Sequence, residues 1–150
     1  MTTNASGEQR APSDEFLAHW NAVLVAGEDM ALTLGLEPLS GDPSLVRVRM
    51  ALTPAIRQPA GMFSAASLFG LADVSGTTLA RYHAPADTFP LAVQSSISLV
   101  ANTKSGYATS RSTLVSAGRR LIVTTTDVVD DTGRLLSKVD ATYLVATPRA

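Results

Sequence analysis

One stretch, Gly61 to Ala80 (GMFSAASLFGLADVSGTTLA), limits what this chain can fold into. Between Met62 and Ala80 the only charged side chain is Asp73, and Ala65, Ala66, Leu68, Phe69, Leu71, Ala72, Val74 and Leu79 leave no polar stripe. A helix of that pattern is expected to be buried all round. Its serines, alanines and glycines keep it thin. A thin, buried helix with a lone carboxylate predicts a central rod wrapped by a sheet, with the acid held where water is scarce. The run nearly has the length of a membrane span. Asp73, the serines and threonines around it, and the internal Gly70 and Gly76 argue instead for a helix buried in a soluble protein.

The 150 residues suffice for one domain with a real core, so no disulfide or metal is needed to hold it together. There is no cysteine, which removes thiol nucleophiles and thiolate zinc sites and fits a reducing compartment. A net charge of −1 gives no electrostatic reason to expect nucleic acid or a membrane surface as partner. The start, MTTNASGEQRAPS, is polar and lacks the apolar core of a signal peptide. Residues 1–12 are therefore expected as a disordered tail on a single domain, 13–150, in the cytoplasm. Dinucleotide, nucleotide, serine-hydrolase and zinc-protease signatures (GxGxxG, P-loop, GxSxG, His-x-x-x-His) are missing, and no metal site is expected.

In chain order, Ser13 is a candidate N-cap with Asp14 and Glu15 in the first turn. Phe16, Trp20, Val23 and Leu24 follow at helical spacing, predicting an amphipathic helix that ends near Gly27. Met30 to Leu39 reads as a first strand, and Ser40-Gly-Asp-Pro43 as a turn. Strict alternation over 45–52 predicts a half-buried strand with Val46, Val48, Met50 and Leu52 on one face and Arg47 and Arg49 on the wet one. A proline-bearing loop, 53–60, leads to the central helix, and a second loop is expected over 81–90. Strands are then expected at about 91–101, 107–117, 119–130 and 135–145. The order is helix, two strands, long helix, four strands.

That order, with GMFSAASLFGLAD at its centre and SAGRRLIVTTTDVVDDTGRLLSKVDATYLV over 116–145, resembles the hotdog-fold acyl-CoA thioesterases of the phenylacetate-pathway type. The resemblance runs from about Met30 to Val145. It implies an α+β hotdog fold, with an antiparallel sheet of five or six strands wrapped around the long helix. It also implies hydrolysis of an acyl-CoA thioester, with an aryl or medium-chain acyl group. Coenzyme A enters only as part of the substrate, and no other cofactor is expected. Ser64 stands where these enzymes commonly have histidine, and Ala65 where many have glycine.

By that likeness Asp73 is the catalytic carboxylate, as general base or nucleophile, and the Ala65 N–H polarises the thioester carbonyl. Gln58 and Thr77 match positions that hold substrate and water, and Thr77 shares the helical face of Asp73. Gly61, Phe63, Ser64 and Phe69 are expected to touch the substrate, Phe63, Leu68 and Phe69 as an apolar floor. Arg111, Arg119 and Arg120 are candidates for the phosphates of coenzyme A. Blander roles are a structural acid for Asp73, a helix cap for Ser64, solvated arginines, surface positions for His19 and His83, and a packing anchor for Trp20. Geometry adds a constraint: Asp73 lies eight residues beyond Ala65, ~12 Å along one helix. Attacking group and carbonyl donor must each reach within ~3 Å of the reacting atoms. One subunit cannot close that gap, so the reading requires a homodimer with composite sites, expected to assemble further into a homotetramer. The rival readings are a non-catalytic acyl-CoA binding or sensing protein and a hotdog dehydratase or hydratase.

Overall fold

The computed structural model describes residues 11–145, so all of the predicted tail but Ala11 and Pro12 lies outside the described residues. Ser13 caps helix α1 (Asp14–Trp20) by accepting the Phe16 N–H at 3.2 Å. The helix continues as a π-helical turn, Asn21–Val25, and ends short of Gly27. Phe16 and Trp20 are buried, with ring centroids 6.2 Å apart.

The strand expected over Met30–Leu39 divides in two. Its first half is a short helix, α2 (Met30–Thr33), because Asp29 Oδ1 accepts the Ala31 N–H at 2.8 Å and starts a helical turn. Gly35, at φ +66°, ends that turn and releases the chain into strand β1 (Leu36–Gly41). Strand β2 (Leu45–Ala51) alternates as its sequence requires, with Val46, Val48 and Met50 buried.

The long helix α3 runs Ala65–His83, starting four residues inside the expected stretch and continuing three residues into the loop expected over 81–90. Ser64 Oγ accepts the Ser67 N–H at 3.1 Å and fixes the start. At the other end, Tyr82 and His83 hold the carbonyls of Gly41 and Pro43, and so tie the helix to the β1–β2 turn. Four strands follow: β3 (Pro90–Leu99), β4 (Tyr107–Ala117), β5 (Leu121–Val129) and β6 (Leu135–Val145). All six strands form one antiparallel sheet in the order β1-β2-β4-β5-β6-β3, with α3 lying across its inner face.

Small residues set how closely helix and sheet approach. Ser112 of β4 donates to Ser75 of α3 at 2.8 Å and lies 2.7 Å from Thr126 of β5. A methyl on Gly76 would meet the Tyr143 hydroxyl at 2.6 Å. The helix is not buried all round, however. Ala65, Phe69, Asp73, Thr77 and Arg81, four apart, form a stripe that the sheet does not cover. Every second residue of β3 would ordinarily face a core, yet after Pro90 that strand is exposed or nearly so along its length. No described helix is long and apolar enough to cross a membrane.

Candidate active site

The open stripe of α3 gathers two of the expected site residues in one place. Asp73 and Thr77 line a cavity of about 240 Å³ whose walls include Val23 and Leu24 of the π-helical turn, Phe89, and Leu91 of β3. Phe63 and Leu68 do not form its floor. Both are fully buried, turned from the stripe into the core, while Phe69 stays half-exposed on the stripe.

Asp73 makes no ion pair among the described residues. Burial raises its carboxyl above the usual range, and the charge of Asp29 pushes it further the same way. Asp29, which also caps α2, borders the same cavity. Tyr143, wholly buried on β6, places its phenol near Thr77, Thr124 and the Asp73 charge. Burial raises that phenol, Thr77 and Thr124 act in the opposite sense, and the Asp73 charge raises it further. No hydrogen bond of normal geometry holds the Tyr143 hydroxyl.

The remaining expected residues lie elsewhere on the subunit. Gln58 and Gly61 border a second hollow before the helix, with Arg57 and Pro59. Gly61, at φ +83°, closes a turn there by donating to the Gln58 carbonyl at 2.9 Å, and Gln58 Oε1 accepts from Ala60 N–H. Ser64 caps α3, and Ala65 opens the helix at an exposed position. The peptide before them is anchored twice: Ser64 N–H donates to Ile56 O at 3.2 Å, and Asn102 Nδ2 donates to Phe63 O at 2.8 Å. Arg134 holds the Asn102 carbonyl at 2.6 Å and pairs with Asp130, so the β5–β6 turn braces the start of α3. Arg111 is exposed on β4, opposite Arg47 and Asp127. Arg119 and Arg120 are exposed in the β4–β5 turn, and none of these three arginines borders the Asp73 cavity.

Asp29, Arg81 and Tyr143, at or beside the cavity, carry no site expectation from the sequence. Arg81 was readable as the next step of the 65-69-73-77 series, had the helix been carried past Ala80. Asp29 was readable as a helix cap. Nothing local in the sequence brings Tyr143 under Gly76. His19 is also less exposed than expected: its ring stacks on Tyr82 at 5.8 Å, and burial, with Arg81 nearby, lowers its affinity for a proton.

A six-stranded antiparallel sheet wrapped on one long helix is the hotdog fold. The chain is similar to thioesterase HI1161 from Haemophilus influenzae, with 17% identity, a TM-score of 0.79, and coverage of 93% of this chain and 94% of that one. It is similar to a variant of thioesterase PA1618 from Pseudomonas aeruginosa at 16% identity, TM-score 0.78, covering 92% and 96%. A variant of the phenylacetic acid degradation protein PaaI from Thermus thermophilus matches at 20% identity, TM-score 0.70, covering 77% and 96%. No family model and no curated protein sequence matches the chain.

Proposed function

We propose that the protein hydrolyses acyl-CoA thioesters, RCO–S–CoA + H₂O giving RCOO⁻ + CoA–SH + H⁺, with Asp73 as the catalytic carboxylate. The observation that carries this is a half-buried carboxylate that makes no ion pair among the described residues, in a cavity with Val23, Leu24, Phe89 and Leu91 in its walls. A carboxylate desolvated in this way needs either a partner or a task. The ionised carboxylate takes a proton from a water that attacks the carbonyl carbon, or attacks that carbon itself to form an acyl anhydride with Asp73, which water then hydrolyses. The Ala65 N–H at the free, positive end of a helix receives the developing oxyanion. Thr77 orients the water, and the departing thiolate takes up a proton, from Asp73 in the general-base route and from solvent in the nucleophilic one.

Asp73 and Ala65 serve one thioester only if they come from different chains. Strand β3 supports such an assembly. It is an edge strand that leaves Leu91, Val93, Ile97 and Leu99 exposed, without the charges that usually blunt a free edge. The Asp73 cavity opens beside its first residues, so a partner paired along β3 would bring its own helix start and Gln58 to that opening. Exposed Val115, Leu121 and Leu144 on the outer face would serve a further pairing into tetramers. The similar structures that carry the name thioesterase support the same activity.

Free-thiol release from phenylacetyl-, benzoyl-, short-, medium- and long-chain acyl-CoA, in wild type and Asp73→Asn, tests this. Turnover by wild type and a loss of roughly 10²–10⁴-fold in the variant are expected. Near wild-type rates in the variant would remove Asp73 from the chemistry. Tight acyl-CoA binding without thiol release would identify a binding protein instead.

A further inference from the structure

We infer that Arg81 is a specificity residue for an acyl group that ends in a carboxylate, so that the substrate is a short dicarboxylic acid, or a carboxyaryl acid, bound as its half-thioester. This rests on the thioesterase reading and names its substrate class.

The cavity that holds Asp73 is polarised. Asp29 and Asp73 stand at one end, and Arg81, two helical turns further along the same stripe, at the other. Arg81 forms no ion pair among the described residues, and its Nε is buried without a hydrogen-bond partner. Its guanidinium lies over the Phe89 ring, 5.2 Å from the centroid. No carboxylate takes up the hydrogen bonds of this guanidinium among the described residues, and an arginine lining a cavity suits a carboxylate on the ligand. Burial alone lowers its proton affinity, and no acid nearby restores it. A cation held in this way gains from an anion that arrives with the ligand.

Size and spacing narrow the choice. The cavity, about 240 Å³, is smaller than the ~300–1,000 Å³ of pockets for drug-sized ligands, so it takes one ring or a short chain. Asp73 and Arg81 start from backbone positions ~12 Å apart along the helix, and the arginine side chain spans part of that distance, so a short acyl chain bridges the rest. Glutaryl and adipoyl groups are chains of this kind.

The test compares glutaryl- and adipoyl-CoA with pentanoyl- and hexanoyl-CoA by thiol release, in wild type and Arg81→Met. In parallel, calorimetry measures binding of the matching carboxyalkyl- and alkyl-CoA thioethers, which cannot be hydrolysed. Wild type is expected to favour the carboxylated member of each pair by roughly 10- to 100-fold, and Arg81→Met to reverse the order. A wild-type preference for the neutral chains, which needs no variant to detect, would overturn the assignment. So would a ratio unchanged in Arg81→Met, leaving Arg81 as a packing partner of Phe89. Thioether binding that depends on Arg81 without thiol release would uphold Arg81 and defeat the thioesterase reading. Thiol release without discrimination would do the reverse.

Discussion

Asp73 gives up solvation on folding and pairs with no cation among the described residues, and that exchange has measurable consequences for stability as well as for activity. A carboxyl raised by folding binds its proton more tightly in the folded than in the unfolded state. Its contribution to stability is therefore present below the ordinary carboxylate range and is lost as pH rises through the raised value. Asp73→Asn is expected to melt a few degrees higher than wild type at pH 7 while losing turnover, with the gap closing toward pH ~3.5. A variant that melts lower at pH 7 would show that the carboxylate is structural. Asp29 offers a second handle on the same group. Asparagine still caps α2 at that position, so Asp29→Asn removes only the charge and should move the acid limb of the pH–rate profile to lower pH. A limb that stayed in place would separate Asp29 from the site. That Asp73 and Thr77 share one face of α3 was legible from their spacing, and Asp73 stands out because a lone charge in an apolar helix is visible in one dimension. Phe63 was misjudged because its sequence neighbours cannot say which way a residue turns just before a helix begins, and it turns into the core.

The elements hold the site through two close fits. Gly76 lets α3 approach β5 and β6, where an added methyl would stand 2.6 Å from Tyr143 Oη and 3.1 Å from Thr124 Oγ1. Gly76→Ala is expected to cost about 1–3 kcal/mol by overpacking, read as a lower denaturation midpoint, and to lower kcat by shifting Asp73 and Thr77. Asn102 makes the second fit. Asn102→Ala leaves the Phe63 carbonyl without its side-chain donor, costs roughly 1–3 kcal/mol, and should lower kcat more than it changes KM, because it loosens the start of α3. Equal effects on both would make Asn102 a stabilising residue alone. These long-range fits were closed to sequence reasoning, whereas the period of β2 was open to it; the expectation of an α3 buried all round missed the stripe from Ala65 to Arg81. Where local signals competed, the strand reading of Met30–Leu39 failed because Asp29 and Gly35 bracket a turn of helix inside an apolar run.

For the whole molecule, the unequal edges of the sheet matter most. Edge β1 carries Glu37 and Pro38, with Glu37 paired to Arg49 of β2 at 2.6 Å, whereas β3 offers an apolar, uncharged row. A lysine at Val93 or Ile97 is expected to yield monomers by sedimentation and to remove activity although Asp73 is untouched. Fully active monomers would refute the composite site. Subunit mixing gives a sharper test. Ala65 is the first helical residue and Ser64 before it is extended, at ψ 151°, so Ala65→Pro deletes one N–H at a position where proline is tolerated. Asp73→Asn and Ala65→Pro should each be inactive alone. Refolded together at equal amounts, half the dimers are mixed and each holds one intact site, so thiol release should return to about a quarter of the wild-type rate. A mixture as inactive as its components would contradict a site shared between two chains.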